Sequence, residues 1–411
     1  MKEIPEYRIN LNEPDFIANP YPELAKLRRE LPIFYDPGYD RIFINLHADI
    51  SELLRDKRLG RGMLHRYNRE ELGWPEPDPR LAPFRRFQDL VFMDMEGPPH
   101  ARLKGFVSKA FTPRQMENLR GKLEATTHAL IDAVPRQEPF NFVSLIAEPL
   151  PVAIISDMLG IPEEIRPNLR PWSSAIVKMY EMDPSEEDIE NANRAANTFM
   201  DTILKLTAER RAQPQDDLIS LLSTAELDGN RLSDDELAAT SIFLLNAGHE
   251  ATVNASSLGL LALLRNQSAL DALKAAIAGE EADTFIKTAV NELLRYDTPA
   301  PMFERFVLED MEFNGYPFYL GQKVSLMYIS GNHDEARFPN PHELDLTRKD
   351  NPHLTFGLGT HFCAGAPLAR LELQTVFRIL LERMPDLQLV AEPKFTDGFV
   401  IRGLRELMVS S

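Results

Sequence analysis

Residues 356–366 read FGLGTHFCAGA and contain the only cysteine of the chain, Cys363. Apolar residues follow at i, i+4, i+7, i+8 and i+11 between Ala369 and Leu380, the spacing of one buried helix face. Cys363 therefore precedes a helix, whose positive N-terminal end favours the thiolate over the thiol. A single free cysteine is more often a buried structural residue. Three glycines around it would let the backbone turn sharply beside a flat cofactor, which suggests an axial metal ligand as the alternative.

The same stretch resembles the haem-binding loop of the cytochrome P450 superfamily, Phe-Gly-x-Gly-x-His-x-Cys-x-Gly, at every fixed position. The resemblance implies the cytochrome P450 fold, which is mainly α, a large helical domain with a minor β-sheet region, with haem b (iron protoporphyrin IX) as cofactor. It also implies that Cys363 is the proximal iron ligand and that His361 contacts a haem propionate. Phe356, Gly357 and Gly365 belong to the same cofactor-binding loop, which spans 356–366.

Composition and charge limit the class of protein further. The 411 residues contain no Gly/Ser-rich linker, repeat or low-complexity run, so we expect a single domain over 1–411. A net charge of −18 argues against binding to nucleic acid or to an anionic membrane surface. The single cysteine fits a reducing cytosol, and the N-terminal residues include no apolar run of signal-peptide or membrane-spanning length. We expect a cytoplasmic monomer.

The pattern of the chain predicts several segments ahead of the cysteine loop. We expect a β-rich N-terminal part over about 1–50, with a hairpin that turns at Pro37-Gly38. Glycines and prolines break up residues 58–99, which we interpret as a lid loop. A long helix is predicted over about 233–266, opened by a capping box of Ser233 and Glu236.

The middle of that long helix is unusually polar and reads LLNAGHEATVN over 244–254. Asn246, His249 and Glu250 share one face at i, i+3 and i+4, so they could form a satisfied polar cluster in the core. The alternative is the oxygen-binding groove of the resembled family, whose pattern is Ala/Gly-Gly-x-Asp/Glu-Thr. That alternative implies that Ala247 and Gly248 pass over the haem and that Glu250 relays protons.

The sequence departs from this pattern directly after the acid. Ala251 occupies the usual alcohol position and Thr252 lies one residue later, about 100° further round the helix at 3.6 residues per turn. We expect Thr252 to bond the carbonyl of Gly248 and bend the helix. Proton delivery at Glu250, Ala251 and Thr252 is therefore predicted to differ from the family's ordinary arrangement.

Glu292 and Arg295 lie at i, i+3 in a predicted helix over 282–296. A pair with this spacing is usually an ordinary surface ion pair. Its position ahead of Cys363 resembles the family's buried structural ion pair. The third member is often Arg in the region of 338–341, where this chain offers Glu343, so a different closing partner is expected.

By the same resemblance, three further residues contact the haem propionates: His100, Lys104 and Arg305. The alternative for each is a solvated surface side chain. Basic residues would also surround the thiolate side of the haem and dock an acidic ferredoxin; they are Arg102, Lys109, Arg114 and Arg370. Substrate contacts by family analogy are Met93, Leu244, Pro301, Met302 and Phe399, any of which could equally belong to the core.

The combined interpretation is a haem-thiolate monooxygenase. It would insert one atom of O2 into an apolar small molecule, with electrons that pass from NAD(P)H through a separate ferredoxin reductase and ferredoxin. One alternative is a peroxide-driven peroxygenase, suggested by the missing alcohol at Ala251. The other is a haem sensor or carrier that catalyses no reaction.

Overall fold

The computed structural model describes residues 2–109, 111–135, 138–181, 184–227 and 229–411, and it confirms the mainly α fold class. The α-helices, in chain order, are α1 (Pro14–Ala18), α2 (Tyr21–Glu30), α3 (His47–Leu53), α4 (Ala82–Gln88), α5 (Gly97–Ser108), α6 (Pro113–Ala133), α7 (Pro149–Leu159), α8 (Arg166–Val177), α9 (Glu186–Ala212), α10 (Leu218–Thr224), α11 (Asp234–Arg265), α12 (Gln267–Ile277), α13 (Ala282–Tyr296), α14 (Tyr328–Gly331) and α15 (Ala366–Arg383). Short 3₁₀ turns occur at Pro79–Leu81, Phe92–Asp94, Lys178–Tyr180 and Gly359–His361, and a π-helical turn occurs at Val143–Ala147.

The strands are short and form several small sheets. They are β1 (Ile33–Asp36), β2 (Arg41–Ile44), β3 (Leu59–Gly60), β4 (Phe140–Asn141), β5 (Phe303–Val307), β6 (Met311–Phe313), β7 (Tyr316–Phe318), β8 (Lys323–Leu326), β9 (Gln388–Leu389), β10 (Lys394–Phe395), β11 (Leu404–Glu406) and β12 (Met408–Ser410). The largest sheet has the order β1-β2-β8-β5-β3, and the others are β4-β12-β9, β6-β7 and β10-β11.

The chain divides into two compact units. The first comprises Met1–Leu59, Asn118–Leu150 and Ala251–Ser411, and the second comprises Gly60–Glu117 and Pro151–Glu250. Helix α11 contributes to both, because its residues up to Glu250 belong to the second unit and those from Ala251 to the first.

In the first unit, the cysteine loop follows the strands of the five-stranded sheet along the chain and leads into helix α15. Strands β1 and β2 form the predicted antiparallel hairpin, with Phe34 opposite Phe43, and β2 continues parallel to β8. Fully buried side chains from β2, α3 and β8 form one core beside this sheet, among them Ile44, Ile50 and Leu326. Helix α15 buries the predicted apolar face, which includes Leu373 and Phe377. The cysteine loop therefore leads into a helix that is well anchored in the core.

The second unit is helical. Helix α9 begins at a capping box, in which Ser185 and Asp188 satisfy each other's backbone N–H groups. Its buried face includes Phe199, whose ring lies 5.0 Å from that of Trp172 in α8. The packing of α4, α8 and α10 against α9 makes this long helix the centre of the unit.

Two predictions about the first hundred residues need correction. The N-terminal part is not β-rich, because α1, α2 and α3 flank the hairpin and bury apolar side chains such as Leu24 and Leu27. The segment over 58–99 is not simply a loop. It contains α4, which forms because Phe84 and Phe87 are buried on one side while the helix exposes charged residues elsewhere.

The long helix expected over 233–266 is observed as α11, and it begins at the predicted capping box of Ser233 and Glu236. Within the described part of the chain, every helix falls short of the length or the apolar character needed to cross a lipid bilayer.

Candidate functional site

The cysteine loop has a fixed backbone. The N–H of Cys363 donates to the carbonyl of Phe356 over 2.9 Å, and the N–H of Phe362 donates to the carbonyl of Gly359 over 3.1 Å. Gly359 has a φ of +71°, and a Cβ there would lie 2.7 Å from the carbonyl oxygen of Leu54. Only glycine satisfies both the left-handed conformation and this close approach. The loop is thus closed on itself before the helix begins.

The sulfur of Cys363 is open to a ligand. The side chain is exposed, and Cys363 lies two residues before the N-cap of α15, Gly365. A Cβ at Gly365 would have that sulfur as its nearest neighbour, at 3.9 Å. A thiolate donor at a helix N-terminus, with no side chain beside it at Gly365, fits the axial ligand set and flat shape of haem.

The side chains of Phe356 and Arg370 stack on each other at the cysteine loop. The Arg370 guanidinium lies 4.4 Å from the centroid of the Phe356 ring, and its Nε donates to Asn291 over 2.9 Å. Burial lowers the pKa of Arg370, and the nearby Cys363 opposes that shift. A cation stacked on the loop and close to its sulfur favours the thiolate.

The middle of α11 contains two neighbouring small residues that are exposed or half-buried. Ala247 is exposed although Asn246 and Leu245 next to it are buried. Gly248 is half-buried, and the nearest atoms to a Cβ there belong to Ile155, at 3.8 Å. An uncovered stretch in the middle of an otherwise buried helix fits a surface that a flat cofactor covers.

His249 and Glu250 form the polar part of this stretch. Burial, helped by the charge of Arg170, lowers the pKa of His249 to about 4, so the ring is neutral at pH 7. Its Nδ1 lies 3.5 Å from the Oε1 of Glu250, yet within the described residues neither ring nitrogen makes a hydrogen bond. Glu250 accepts a hydrogen bond of 3.1 Å from the hydroxyl of Ser174 in α8. The predicted acid is therefore linked to an exposed hydroxyl.

Thr252 does not bond the carbonyl of Gly248, and that prediction is wrong. Its side chain interacts with the buried carboxyl of Glu372 in α15 instead. Glu372 is only 2 % exposed, and its Oε2 has no hydrogen-bond partner in the described structure. Burial raises the pKa of Glu372 to about 8, and the interaction with Thr252 opposes that rise.

Sequence reasoning missed Glu372, although a signal was present. The residue lies three positions after Ala369 and one before Leu373, so it falls on the apolar face that identified α15. An acidic residue on a buried helix face needs a partner or a function.

Glu292 and Arg295 form a fully buried ion pair, as the family resemblance implied, with side chains 0 % exposed. Arg295 donates to Glu292 over 2.7 and 2.8 Å. The closing partner is Arg348, whose Nε donates to Glu292 over 3.1 Å. Glu343 takes part only through its backbone carbonyl, at 3.3 Å from Arg295. Asn351 and the N–H of Asp345 complete the contacts to the Glu292 carboxylate, each at 3.1 Å.

The residues expected to bind the propionates have varied surroundings. His100 is 5 % exposed and lies in α5 near Phe92, with ring centroids 6.1 Å apart. Arg305 is 4 % exposed in β5, and its Nη1 donates to the carbonyl of Glu304 over 2.9 Å. Lys104 and His361 are half-buried. Their contact with a propionate stays a prediction.

The expected docking residues are largely engaged within the chain. Arg102 pairs with Glu236 and donates to the carbonyl of Arg231 over 3.5 Å. Lys109 donates to the carbonyl of Glu226 over 3.0 Å. Arg114 is exposed.

Most of the expected substrate contacts are buried. Phe399 is 1 % exposed and packs against Phe16, with ring centroids 5.1 Å apart. Met93 alone is half-buried, whereas Leu244, Pro301 and Met302 are buried. Burial does not distinguish the wall of a closed pocket from core, so the substrate role of these five residues stays a prediction.

Comparisons with known proteins identify the family of this chain. A family model described as Cytochrome P450 matches residues 96–385. The polyketide biosynthesis cytochrome P450 PksS of Bacillus subtilis is 36 % identical over 409 residues, which cover 96 % of each chain. A steroid C26-monooxygenase of Mycobacterium tuberculosis is 38 % identical over 302 residues, covering 74 % of this chain and 80 % of that protein. The structure of P450BioI in complex with hexadec-9Z-enoic acid ligated acyl carrier protein has a TM-score of 0.89 at 32 % identity, covering 97 % of this chain and 99 % of that chain.

Proposed function

Because this chain belongs to the cytochrome P450 family and is a monooxygenase with haem b as its cofactor, we propose that it oxidises an apolar small molecule with electrons from a separate ferredoxin and its reductase. The observation that carries the proposal is the closed loop that presents the exposed Cys363 at the start of α15. The bound haem supplies the activation of O2 with two electrons. The overall reaction is R–H + O2 + 2 e⁻ + 2 H⁺ → R–OH + H2O.

The residues of the cysteine loop hold the cofactor. Cys363 provides the proximal thiolate, and Phe356 with Arg370 beneath it keeps the loop in place. Gly357 and Gly365 leave room for the macrocycle. His361, His100, Lys104 and Arg305 would neutralise the two propionates, because each can donate a hydrogen bond to a carboxylate.

The central helix α11 would contribute the residues of the oxygen-binding groove. Ala247 and Gly248 are small and uncovered, so they allow a flat cofactor to approach the helix. Glu250 would take up and release protons near that surface through the hydroxyl of Ser174, which is exposed. Ala251 contributes no hydroxyl to this path.

The substrate class follows from the apolar character of the predicted contacts and from the relatives. Met93, Leu244, Pro301, Met302 and Phe399 offer no charge to a ligand, so an acyl, polyketide or steroid skeleton fits them better than a polar metabolite. The named relatives work on such compounds: one serves polyketide biosynthesis and another oxidises a steroid.

We place the protein in the cytoplasm as a monomer, where a small acidic iron–sulfur protein delivers the electrons. Basic side chains such as Arg114 would meet the acidic partner. Reduction by ferredoxin should then slow as salt rises from low to physiological concentration, since exposed charges are screened.

A peroxygenase is the second candidate function. Ala251 lacks a hydroxyl where the pattern of the family has an alcohol, which favours an oxidant that brings its own protons. The peroxide-driven reaction, R–H + H2O2 → R–OH + H2O, consumes no net protons.

The decisive experiment is a screen of fatty acids, steroids and polyketide lactones for a spin-state change in the haem spectrum, followed by product analysis. Product formed with ferredoxin, reductase and NAD(P)H supports the monooxygenase. Product formed with hydrogen peroxide alone supports the peroxygenase. Ligand binding without product under either condition contradicts both and leaves the haem sensor or carrier.

A further inference from the structure

We propose that Asn291 of α13 is a positioning residue of the haem site. It holds the guanidinium of Arg370 beside the Cys363 loop, and the charge fixed there raises the reduction potential of the haem iron. The sequence suggests Arg370 as a residue that docks ferredoxin, but its contacts indicate a task within the chain. This role concerns the haem-thiolate centre alone and does not depend on the substrate or the electron donor.

The side-chain amide of Asn291 has a defined orientation. Its Nδ2 donates to the carbonyl of Lys287, one turn earlier in α13, over 2.8 Å. Its Oδ1 accepts a hydrogen bond from the Nε of Arg370 over 2.9 Å and lies 3.2 Å from the Nε2 of His353. An amide oxygen only accepts, so His353 carries its proton on Nε2. The reverse orientation would turn the NH2 group toward two donors, and the network therefore determines which way the amide points.

Arg370 is thereby held against the cysteine loop. Its guanidinium lies 4.4 Å from the centroid of the Phe356 ring, and the carbonyl of Phe356 accepts the N–H of Cys363 over 2.9 Å. The guanidinium also interacts electrostatically with Cys363. An arginine side chain is long and has many rotamers, so a hydrogen bond to Nε together with a stack on a ring is an effective way to keep its charge in one place.

His353 completes the arrangement. It is 8 % exposed, and its ring lies 5.7 Å from that of Phe356, centroid to centroid. Asn291 and Phe356 are therefore each shared by His353 and Arg370. The guanidinium cannot move away without the loss of both its hydrogen bond and its stack.

A fixed positive charge at this place affects reduction of the iron. The step Fe(III) + e⁻ → Fe(II) adds one negative charge to the site, so a nearby cation stabilises the reduced state more than the oxidised one. Local charge and hydrogen bonding around the ligand sulfur are among the means by which a protein sets such potentials. Arg370 is half-buried, so its charge is screened less than that of a fully exposed side chain. Release of the guanidinium into water would therefore lower the potential.

The test compares the holoenzyme with two single variants and their combination. Asn291→Leu removes both hydrogen-bonding groups of the amide at similar size. Arg370→Met removes the charge and keeps most of the length of the side chain. The double variant shows whether Asn291 acts through Arg370, because residues that act as a unit have non-additive effects.

Each helix offers a matched control. Thr288→Val removes a polar group from α13, where the Thr288 hydroxyl donates to the carbonyl of Thr284 within the helix. Arg378→Met removes a cation from α15, about two turns beyond Arg370. Arg378 pairs with Glu124 and Asp283 rather than with the cysteine loop.

The measurement is a spectroelectrochemical titration of each holoenzyme without substrate, with the carbonyl form used to verify that the thiolate ligand is retained. We expect Asn291→Leu and Arg370→Met to lower the ratio of reduced to oxidised haem at a fixed applied potential by about threefold to tenfold, where tenfold corresponds to about 59 mV for one electron. The double variant should match Arg370→Met, and both controls should match the parent.

The infrared spectrum of the carbonyl form gives a second readout. With less positive charge near the sulfur, the thiolate pushes more electron density onto the iron. The C–O stretch should then move to lower wavenumber in Asn291→Leu, in Arg370→Met and in the double variant, and should stay in place in both controls.

A parent-like potential in Asn291→Leu would overturn the proposal, and a parent-like potential in Arg370→Met as well would return Arg370 to the docking surface. A further fall on adding Asn291→Leu to Arg370→Met would also overturn it, because Asn291 would then act by another route. So would an equal shift in either control. If Asn291→Leu does not retain haem, Asn291→Ser, whose side chain is too short to hold Arg370, takes its place with the same expected result. None of these measurements uses a substrate or ferredoxin, so an enzyme that forms no product would contradict the proposed function and leave this role standing.

Discussion

Replacement of Glu292 by alanine should destabilise the protein strongly. Glu292 is fully buried and accepts hydrogen bonds from Arg295, Arg348, Asn351 and the N–H of Asp345. Its removal leaves the guanidinium of Arg295, also 0 % exposed, without its counter-charge. Breaking a buried pair in this way typically costs about 3–5 kcal/mol.

That cost can be converted into a melting temperature. Globular proteins gain about 2.1 cal/mol/K of unfolding entropy per residue, so a chain of this length should lose roughly 3–6 °C in Tm if it unfolds in one step. The assay is a thermal melt followed by circular dichroism, with haem content measured from the spectrum of the reduced carbonyl form. Haem content should also fall, because the network lies in the segment that leads to the Cys363 loop.

Two further variants separate charge from packing. Glu292→Gln keeps the size of the side chain, so a similar loss of stability would assign the effect to the missing charge. Glu343→Ala is the control, because Glu343 is exposed and contributes only its backbone carbonyl to Arg295. It should change the free energy of unfolding by no more than about 0.5 kcal/mol. A Glu292→Ala protein with the melt and haem content of the parent would refute the role of the network.

Three other outcomes follow from the site. The reduced carbonyl form should show the red-shifted band of a thiolate haem, and Cys363→Ser should abolish it; a variant with the same band would exclude Cys363 as the ligand. Ala251→Thr should raise product per NAD(P)H for purely apolar compounds, and equal, near-complete coupling in the parent would remove the reason for that expectation. Burial lowers the pKa of His353 to about 3, so acidification from pH 6.5 should destabilise the native state as the unfolded chain binds the extra proton. His353→Gln should lose less stability between pH 7 and pH 5 in urea melts than the parent does.

Local patterns predicted the parts of the site that are continuous in sequence. The loop at 356–366, the helix after it and the capping box at Ser233 all depend on residues a few positions apart, so their chemistry is visible without a structure. The lid segment was predicted less well, because α4 is stabilised by the burial of Phe84 and Phe87 rather than by its own propensity.

Contacts between distant residues could not be predicted in the same way. The choice of Arg348 over Glu343 as the third member of the Glu292 network depends on how a turn-rich segment folds back on α13. Likewise, Thr252 of α11 interacts with Glu372 of α15, which is far away in the sequence. A hydroxyl has few steric demands, so the sequence does not indicate which of several acceptors it will choose.

The irregular segment between α14 and the cysteine loop has a consequence for engineering. Residues 332–358 contain no regular helix or strand. Side chains fix their main chain through hydrogen bonds: Arg295 donates to the carbonyls of Asn332 and Pro341, and the side-chain amide oxygen of Asn332 accepts from the N–H of Leu354. Arg295 of helix α13 thus fixes the position of the main chain at two separate points of this segment. Surface loops usually tolerate insertions, but one extra residue here would displace several of these anchor points together. Loop grafting or circular permutation should therefore avoid this segment, however exposed some of its residues are.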